Sequence, residues 1–417
     1  MSAPFDRRDF LKSAAGTLTL LLSRGGLSAA QTPAAEPPAG PPVTIGVIGL
    51  GPWGRETLAA LGRIPQARVG VLCDVYEPFL KRAAPGAPNA TAVTDWRRAL
   101  EAPVDAIVVA TPTPLHREIV EAALQAGKHV YCEAPLAASI DDARAIARAA
   151  GAASGRVFQA GLQGRANALY THVLQFVKTG VLGGELTLVN AQWNRKESWR
   201  RPAPTPEREA AVNWRLARES PGLMGEVGIH QLDLVMQYLD ARPTAIVGAG
   251  AIAAWRDGRQ IPDSVVSLIE FPKARATFRV SLASSFGGAY TIFQGSDSSL
   301  LMKESRGWMI KEADSPLLGW EVYARKEPVH DEMGIAMVAD ATKLLQAGVE
   351  PGKSGAVEPE KPPLVMAYES FIRSIQQSAP PAAGAKEGFA ATVAALKANE
   401  AALAGGRVEV AADAYDV

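Results

Sequence analysis

A glycine-rich turn after an apolar run could bind the pyrophosphate of a dinucleotide. The residues of this turn are Gly49, Gly51, Pro52, Trp53 and Gly54. Glycine permits the tight turn and the close approach of the phosphates, and the following helix directs free N–H groups and its positive end toward them. The glycine pattern alone is common, but Asp74 closes the next apolar run at the expected distance. Together these features predict a dinucleotide site.

Asp74 also indicates which dinucleotide to expect. A carboxylate at the end of the second strand accepts hydrogen bonds from the ribose 2′-OH and repels a 2′-phosphate. We therefore expect NAD as the cofactor, while Lys81 and Arg82 a few residues later leave NADP open.

A second group that could do chemistry consists of Glu226 and His230. Their spacing of four residues predicts that both side chains share one helix face. A carboxylate in that position can orient an imidazole and stabilise its charge during proton transfer. An isolated histidine in a helix can equally be structural.

Aromatic and basic side chains are concentrated between residues 193 and 218. They include Trp193, Asn194, Arg195, Lys196, Trp199, Arg200, Arg201, Asn213, Trp214 and Arg215. Aromatic faces beside guanidinium and amide groups suit a carbohydrate, which offers C–H faces and hydroxyls. The alternative is a solvated basic loop that covers apolar surface. A nucleic-acid site is disfavoured because the basic run is short and the whole chain is electrically balanced.

Residues 1–30 have the pattern of a twin-arginine export signal, with Arg7 and Arg8 before the apolar run Ala14 to Leu22. The run is too short to span a bilayer, and small residues at 28–30 suit cleavage after Ala30. A basic disordered N-terminus is the alternative. We expect a periplasmic or otherwise exported protein that carries its cofactor with it. A residence time of about an hour would require a dissociation constant roughly below 1 nM, so we expect NAD to be tightly bound.

The composition indicates a soluble globular enzyme with 47% hydrophobic and 21% charged residues. Basic and acidic residues balance at 43 each, so electrostatics give no reason to expect nucleic acid or an anionic membrane as a partner. Both cysteines, Cys73 and Cys132, fall at the ends of predicted strands that are well separated in the sheet, which predicts two free thiols. No cluster of Cys or His has the spacing of metal ligands, so we expect no metal.

The periodicity of the chain predicts an α/β protein with two domains. After a Pro- and Ala-rich arm at 31–42, residues 43–162 alternate strands and helices, which indicates a doubly wound parallel sheet with strand order 3-2-1-4-5-6. In residues 163–417, strand-like runs with short connections predict a large, mostly antiparallel sheet. We also predict helices at about 330–346, 363–378 and 386–404.

Several segments in this order resemble the Gfo/Idh/MocA family, named for glucose-fructose oxidoreductase and inositol dehydrogenase. The matching segments are Gly49 to Gly54, Asp74, Ala110 to His116, Ala126 to Leu136, Gly161 to Arg165 and Gly225 to Asp233. The resemblance implies an N-terminal Rossmann domain and a C-terminal α/β domain whose open sheet often makes oligomer contacts. It also implies a homo-oligomeric NAD(P)-dependent oxidoreductase, a dimer or tetramer, that acts on hydroxyls of sugars or polyols.

The resemblance, together with the carboxyl ends of the predicted strands, assigns further site residues. Beyond the glycine turn and Asp74, the expected cofactor contacts are Thr111, Pro112, His116, Glu133, Pro135 and Gln163. The expected substrate contacts are Arg165, Trp193, Trp199, Trp214, Arg215 and Asp233. His230, assisted by Glu226, is the candidate acid or base.

Two departures from the family pattern affect the chemistry. The milder one is that the family's Asp-x-x-x-His pair appears here as Glu226 and His230. The Glu-Lys-Pro motif, whose lysine assists proton transfer at the reacting hydroxyl, is replaced by Glu133-Ala134-Pro135. Three hypotheses follow: an oxidoreductase in which His230 moves the proton, a redox-neutral NAD-dependent glycoside hydrolase or lyase, and a noncatalytic binding protein. The sequence favours the first and leaves the substrate open.

Overall fold

The structure is a computed structural model of the 417-residue chain. It describes residues 40–179, 185–303, 306–317, 321, 324–337 and 361–417. The twin-arginine segment and all but the last three residues of the Pro/Ala-rich arm lie outside the described residues.

Among the residues described, the first sheet has six parallel strands. They are β1 (Val43–Ile48), β2 (Ala67–Cys73), β3 (Thr91–Val93), β4 (Ala106–Val109), β5 (His129–Cys132) and β6 (Phe158–Ala160). Their order, β3-β2-β1-β4-β5-β6, confirms the predicted doubly wound topology. All four residues of β4 are buried, as expected for a strand with helices on both faces of its sheet.

Helices connect these strands and lie on both sides of the sheet. They are α1 (Pro52–Leu61), α2 (Glu77–Ala83), α3 (Trp96–Glu101), α4 (His116–Gln125) and α5 (Ile140–Ala152). Two of the helices begin at side chains that accept a backbone N–H, Asp95 before α3 and Ser139 before α5. Pro52 begins α1, where its missing N–H costs no hydrogen bond.

The second sheet has ten strands in the part of the chain that is described, in the order β14-β15-β13-β12-β11-β7-β10-β9-β8-β16. The strands are β7 (Leu186–Asn194), β8 (Ala245–Ala251), β9 (Ser264–Glu270), β10 (Arg275–Ser281), β11 (Ala289–Gly295), β12 (Ser298–Lys303), β13 (Arg306–Lys311), β14 (Lys326–Val329), β15 (Glu332–Met337) and β16 (Arg407–Glu409). Of the described neighbouring pairs, only β7 and β10 run parallel. The mostly antiparallel sheet confirms the prediction for the second domain.

The helices of the second half are α6 (Ala168–Thr179), the short α7 (Glu209–Val212), α8 (Ile229–Leu239), α9 (Pro363–Gln377) and α10 (Ala385–Ala404). α9 returns to the first sheet, where Tyr368 and Phe371 pack against Tyr131. α10 packs against α5 and β8 and so joins the two sheets. The predicted boundary near residue 162 stays a prediction, because these two helices link both halves.

The helix predicted at about 330–346 is wrong over its described part. His330 adopts a left-handed turn with φ of 54°, and Glu332–Met337 then pairs with β13 and β14 as strand β15. The apolar residues of this segment fit both the periodicity of a helix and that of a strand. Hydrogen bonding to a neighbouring strand determines that the segment forms a strand. Residues 338–346 lie outside the described residues.

The two cysteines of the chain lie at the ends of strands β2 and β5. Cys73 and Cys132 are both free and buried, as predicted. Burial raises the pKa of the Cys73 thiol to about 12, so it is not a reactive thiolate at neutral pH.

In the portion that the structure describes, no helix has the length and apolar character needed to cross a bilayer.

Candidate functional site

The glycine-rich turn has the geometry of a dinucleotide cradle. Gly49 adopts φ of +94°, and a Cβ there would lie 2.6 Å from the carbonyl carbon of Ala110. A Cβ on Gly54 would lie 1.9 Å from the carbonyl oxygen of Gly49, so α1 packs too closely for any side chain. At Gly51 a Cβ would enter open space, which is the space that a pyrophosphate needs above the start of α1. The residues present therefore fit a bound dinucleotide.

Asp74 is fixed by two backbone N–H groups. Leu50 donates to Oδ2 and Tyr76 donates to Oδ1, each at 2.8 Å. Burial raises the pKa of Asp74, while these two bonds and the nearby charge of Arg208 lower it. Each carboxylate oxygen has a second lone pair, so the group remains able to accept hydrogen bonds from a ribose.

His116 joins the ends of β4 and β5. Its Nε2 lies 3.0 Å from the carbonyl oxygen of Thr111, and its Nδ1 lies 3.1 Å from that of Pro135 and 3.2 Å from that of Leu136. The side chain is buried, and burial lowers its pKa. Both ring nitrogens already face backbone carbonyls, so the structure shows how His116 holds the loops that carry Thr111 and Pro135. Direct contact of His116 with the cofactor stays a prediction.

The loop after β4 contains an unsatisfied hydroxyl. Thr111 Oγ1 is buried and has no hydrogen-bond partner among the described residues. Pro112 follows it and precedes the short 3₁₀ turn Thr113–Leu115. A buried hydroxyl without a partner is costly, so a ligand group that bonds to it would be stabilised.

Glu133 is buried at the end of β5. The hydroxyl of Tyr368 on α9 donates to its Oε1 at 3.3 Å and also lies 2.9 Å from Oγ1 of Thr57 on α1. Burial raises the pKa of Glu133 to about 7, although hydrogen bonds from Trp53 and Tyr368 lower it. A Cβ on Gly161 would lie 2.6 Å from Oε2, so this carboxyl lies against the backbone just after β6 and leaves no room for a side chain there.

The expected pairing of Glu226 with His230 is not what the structure shows. A π-helical turn spans Met224–Gly228, and the regular helix α8 begins only at Ile229. The wider π turn changes the angle between positions 226 and 230, and no hydrogen bond joins the two side chains among the described residues. The argument from α-helical spacing was therefore wrong, and the joint catalytic role stays a prediction.

His230 itself is available for proton transfer. It is half-buried in the first turn of α8, and no hydrogen bond or ion pair involves its ring in the described part of the chain. Burial lowers the pKa of His230 to about 4. The ring is therefore neutral near pH 7 and can accept a proton.

Glu226 instead connects the two domains. Thr113 Oγ1, in the loop after β4, donates to Glu226 Oε1 at 3.0 Å. Arg215 Nε donates to the other oxygen at 2.7 Å, and the Arg215 guanidinium lies 4.5 Å from the centre of the Trp214 ring. The predicted substrate residues Trp214 and Arg215 are thus placed beside the loop that follows β4.

Arg165 and Asp233, both predicted substrate contacts, bind each other. Nε and Nη2 of Arg165 reach the two carboxylate oxygens at 2.8 to 3.0 Å. Burial raises the pKa of Asp233, and the charge of Arg165 lowers it. The pair fixes the turn after β6, which also carries the partly exposed Gln163, against the same helix that carries His230. Substrate contact by either residue stays a prediction.

The segment from Trp193 to Arg218 is ordered by its own ion pairs. Trp193 and Trp199 are partly buried and pack against the core. Four ion pairs engage the arginines of the segment: Arg195–Glu197, Arg200–Glu209, Arg201–Glu197 and Arg215–Glu226. Three carboxylates thus pair with four of the seven Lys and Arg side chains of the segment.

Sequence reasoning missed residues that complete the site from distant segments. Thr113 lay within a recognised motif, but its partner Glu226 lies 113 positions away. Tyr368 comes from α9, and Arg208 reaches the ring of Tyr76 from the second domain. No local pattern marks such residues; only the three-dimensional packing brings them to the site.

No group of His, Cys, Asp and Glu within the described ranges could hold a metal.

Two family models match the chain. Residues 43–161 match the GFO_IDH_MocA model, described as an oxidoreductase family with an NAD-binding Rossmann fold. Residues 170–301 match the model of the GFO/IDH/MocA C-terminal domain. Together the two matches cover most of both sheets.

Individual relatives match only part of the chain, at 26% to 35% sequence identity in two examples. An inositol 2-dehydrogenase of Rhodococcus erythropolis is 35% identical over 152 residues, 36% of this chain and 44% of that protein. A 2,7-anhydro-N-acetylneuraminate hydratase of Escherichia coli is 26% identical over 281 residues, 64% of this chain and 69% of that protein. The chain spans about half the length of several other curated relatives that it matches.

Solved structures share the fold. A levoglucosan dehydrogenase in complex with NADH and levoglucosan has a TM-score of 0.70 at 17% sequence identity, with 88% of this chain and 99% of that chain covered. At this identity the likeness establishes the architecture alone.

Proposed function

Because the chain belongs to the Gfo/Idh/MocA oxidoreductase family, we propose that it transfers a hydride between NAD and a hydroxyl-bearing carbon of a sugar or polyol. The observation that carries this proposal is the hydrogen bond from Thr113 to Glu226. It brings the turn before α8, and with it the segment of His230, to the edge of the first sheet where the dinucleotide cradle lies.

In this reaction the residues of the site would each have a separate role. A bound nicotinamide would supply the hydride acceptor or donor, and because it stays bound, a second substrate must return it to its starting redox state before the next turnover. His230 is neutral and takes the hydroxyl proton during oxidation, and the same group returns it during reduction. Glu226 positions Arg215 and the loop of Thr113. Arg165 is neutralised by Asp233, so the site favours a substrate without a net charge.

The cofactor is held tightly and travels with the folded protein to the periplasm. The twin-arginine pattern of residues 1–30 and the cradle at Gly49 to Gly54 support this proposal. Purified protein is expected to release one NAD per chain on denaturation. In cells, changing Arg7 and Arg8 to Lys should retain the protein in the cytoplasm, and periplasmic recovery of that variant would contradict the export route.

The open second sheet supports assembly into a dimer or tetramer. Apolar side chains such as Leu188, Val266 and Leu268 are exposed on its outer face. An apolar sheet face of this kind is commonly covered by a second copy. Light scattering after size exclusion would measure the assembly, and a monomer at micromolar concentration would contradict it.

A redox-neutral reaction is the second candidate, favoured by two observations. Ala134 occupies the position of the family lysine, and one relative is named as a hydratase. In this reaction a bound nicotinamide would take a hydride from the sugar, which acidifies a neighbouring C–H. A base removes that proton and the leaving group departs with a proton; in a hydrolase water then adds to the double bond, and the hydride returns to the sugar. His230 would then move the protons.

A panel of sugars and glycosides separates these functions. Bound cofactor is followed by its absorbance at the wavelength of the reduced nicotinamide, and products are followed by chromatography. Persistent, stoichiometric reduction supports the dehydrogenase. A released aglycone without net reduction supports the redox-neutral enzyme, and no response to any compound contradicts both.

A further inference from the structure

Arg208 reaches the first domain near the expected adenosine end of the cofactor. Its guanidinium carbon lies 4.1 Å from the centre of the Tyr76 ring. Tyr76 follows β2, and its backbone N–H donates to Asp74, the predicted ribose ligand. The segment of residues 193–218 therefore contacts the first domain after β2, whereas the bridge at Thr113 lies after β4.

Within the described residues, no carboxylate forms an ion pair with Arg208, although its charge acts on the nearby Asp74. Each of the other four arginines between residues 195 and 215 is paired with a glutamate. Arg208 has no such partner among the described residues, and its Nε is buried without a hydrogen bond. An unsatisfied buried donor on a cation is costly, so a ligand that accepts from it would be stabilised.

The neighbouring elements hold Arg208 in place. Asn213 accepts from the backbone N–H of Arg201 at 2.8 Å and donates to its carbonyl at 2.9 Å. Arg200 pairs with Glu209, the residue after Arg208. Because the backbone around it is tied at these points, Arg208 is preorganised at its position beside Tyr76 and Asp74.

We propose that Arg208 contacts the adenosine half of the bound dinucleotide, and this inference rests on the proposed function. Adenosine brings an aromatic base and ribose oxygens to Asp74, and a planar guanidinium can stack on the base and donate hydrogen bonds. The second domain would then close on the cofactor at both ends. Release of the dinucleotide would then require Arg208 to leave Tyr76, which would slow dissociation.

Displacement of NADH from the full-length protein tests this contact. The fluorescence of bound NADH is followed while 5′-AMP or nicotinamide mononucleotide is added, and the rate of NADH loss is measured by a chase with excess NAD. The test variant is Arg208→Gln. The control is Arg148→Gln, which removes one positive charge from an exposed position of α5.

We expect Arg208→Gln to weaken AMP binding about tenfold, which corresponds to about 1.4 kcal/mol. NADH should dissociate faster by a similar factor, and the affinity for nicotinamide mononucleotide should stay within twofold of the wild type. The control variant should match the wild type in all three measurements. Arg208→Lys keeps the charge without the planar group. Its AMP affinity and NADH dissociation rate should lie between those of the wild type and those of Arg208→Gln.

Two results would overturn the inference while leaving NAD binding intact. AMP affinity within twofold of the wild type means that Arg208 does not contact adenosine. Equal losses for AMP and nicotinamide mononucleotide mean that Arg208 only supports the shape of the segment. Wild-type protein that binds no NADH would instead refute the proposed function, and this inference with it.

Discussion

The hydroxyl of Thr113 donates a hydrogen bond to Glu226 across the two domains. Thr113 lies in the loop after β4, and Glu226 lies in the π-helical turn that precedes α8. The same carboxylate holds Arg215, so three segments meet at one charged group. The bond holds the π-helical turn that precedes His230 against the loop after β4, the strand that pairs with β1 at the cradle.

Removing this bridge should lower turnover. In Glu226→Gln the ion pair with Arg215 becomes a neutral contact, and we expect kcat/KM to fall about tenfold. Thr113→Val, which removes only the cross-domain bond, should cost less, about 1 kcal/mol of transition-state stabilisation. Steady-state kinetics of both variants and of the double variant measure the coupling. Strictly additive losses would show that Thr113 and Glu226 act independently.

His230→Ala should lower kcat at least about tenfold if His230 moves the hydroxyl proton. His330→Asn is the control, since His330 lies on the exposed turn between β14 and β15 and Asn tolerates its positive φ. Turnover of His230→Ala equal to that of the control would exclude the role.

The pH profile tests the same residue in a second way. Burial lowers the pKa of His230 to about 4, below its unfolded value near 6.5. The neutral base is therefore present above about pH 4, and kcat/KM of the wild type should fall only as the pH drops through that value. The unfolded chain binds more protons between pH 4 and 6.5, so His230 also makes folding less favourable as the pH falls through this window. An acid limb centred near pH 6.5 would contradict the burial of this ring.

The dinucleotide cradle could be predicted from the sequence because its determinants are local. Gly49, Gly54 and Asp74 act through backbone geometry within a single strand-helix-strand unit, and the structure has them in the expected places. The strand order and the change to an antiparallel sheet were also predictable from periodicity and connection length.

Other features could not be predicted because they depend on non-local packing or on a small change in helix geometry. The π turn at Met224–Gly228 separates Glu226 from His230 without any signal in their spacing. Asp233 looked free for a substrate, but Arg165 reaches it from 68 positions away. Tyr368 enters the crevice of Glu133 because α9 returns to the first sheet late in the chain.

Ala134→Lys should restore a proton-transfer group beside the nicotinamide if the geometry of the family persists. Ala134 is partly exposed at the end of β5, so a longer side chain can extend into the crevice. We expect dehydrogenase turnover to rise about tenfold or more on a substrate that reduces the bound cofactor. Ala134→Met is the matched control, since it adds length without the amine. A decrease in both variants would show that the crevice has adapted to a small residue.

Asp74→Ser should reverse the choice of dinucleotide. The change removes a negative charge that repels a 2′-phosphate and frees the N–H groups of Leu50 and Tyr76. We expect the affinity for NAD to fall about tenfold and that for NADP to rise, measured by fluorescence titration with NADH and NADPH. Asp141→Ser on the exposed first turn of α5 should leave both affinities unchanged. An unaltered ratio of the two affinities in Asp74→Ser would remove Asp74 from the ribose site.

Glu133→Gln should change how stability depends on pH. Burial raises the pKa of Glu133 from about 4.5 to about 7, so the folded protein binds one proton more than the unfolded chain between these values. Stability of the wild type without cofactor should therefore decrease as the pH rises from 4.5 through 7. Glutamine keeps the shape and carries no charge, so the variant should gain relative to the wild type over this window, by on the order of 3 kcal/mol at pH 8.

Urea unfolding at pH 5 and pH 8 measures this difference in the free energy of unfolding. Glu118→Gln is the matched control, because Glu118 is an exposed partner of Arg97 on α4. Its stability should follow the wild type at both pH values. If Glu133→Gln and the wild type show the same pH dependence, Glu133 is ionised in the folded protein at little cost in free energy. The surroundings of its carboxylate must then be more polar than its burial indicates.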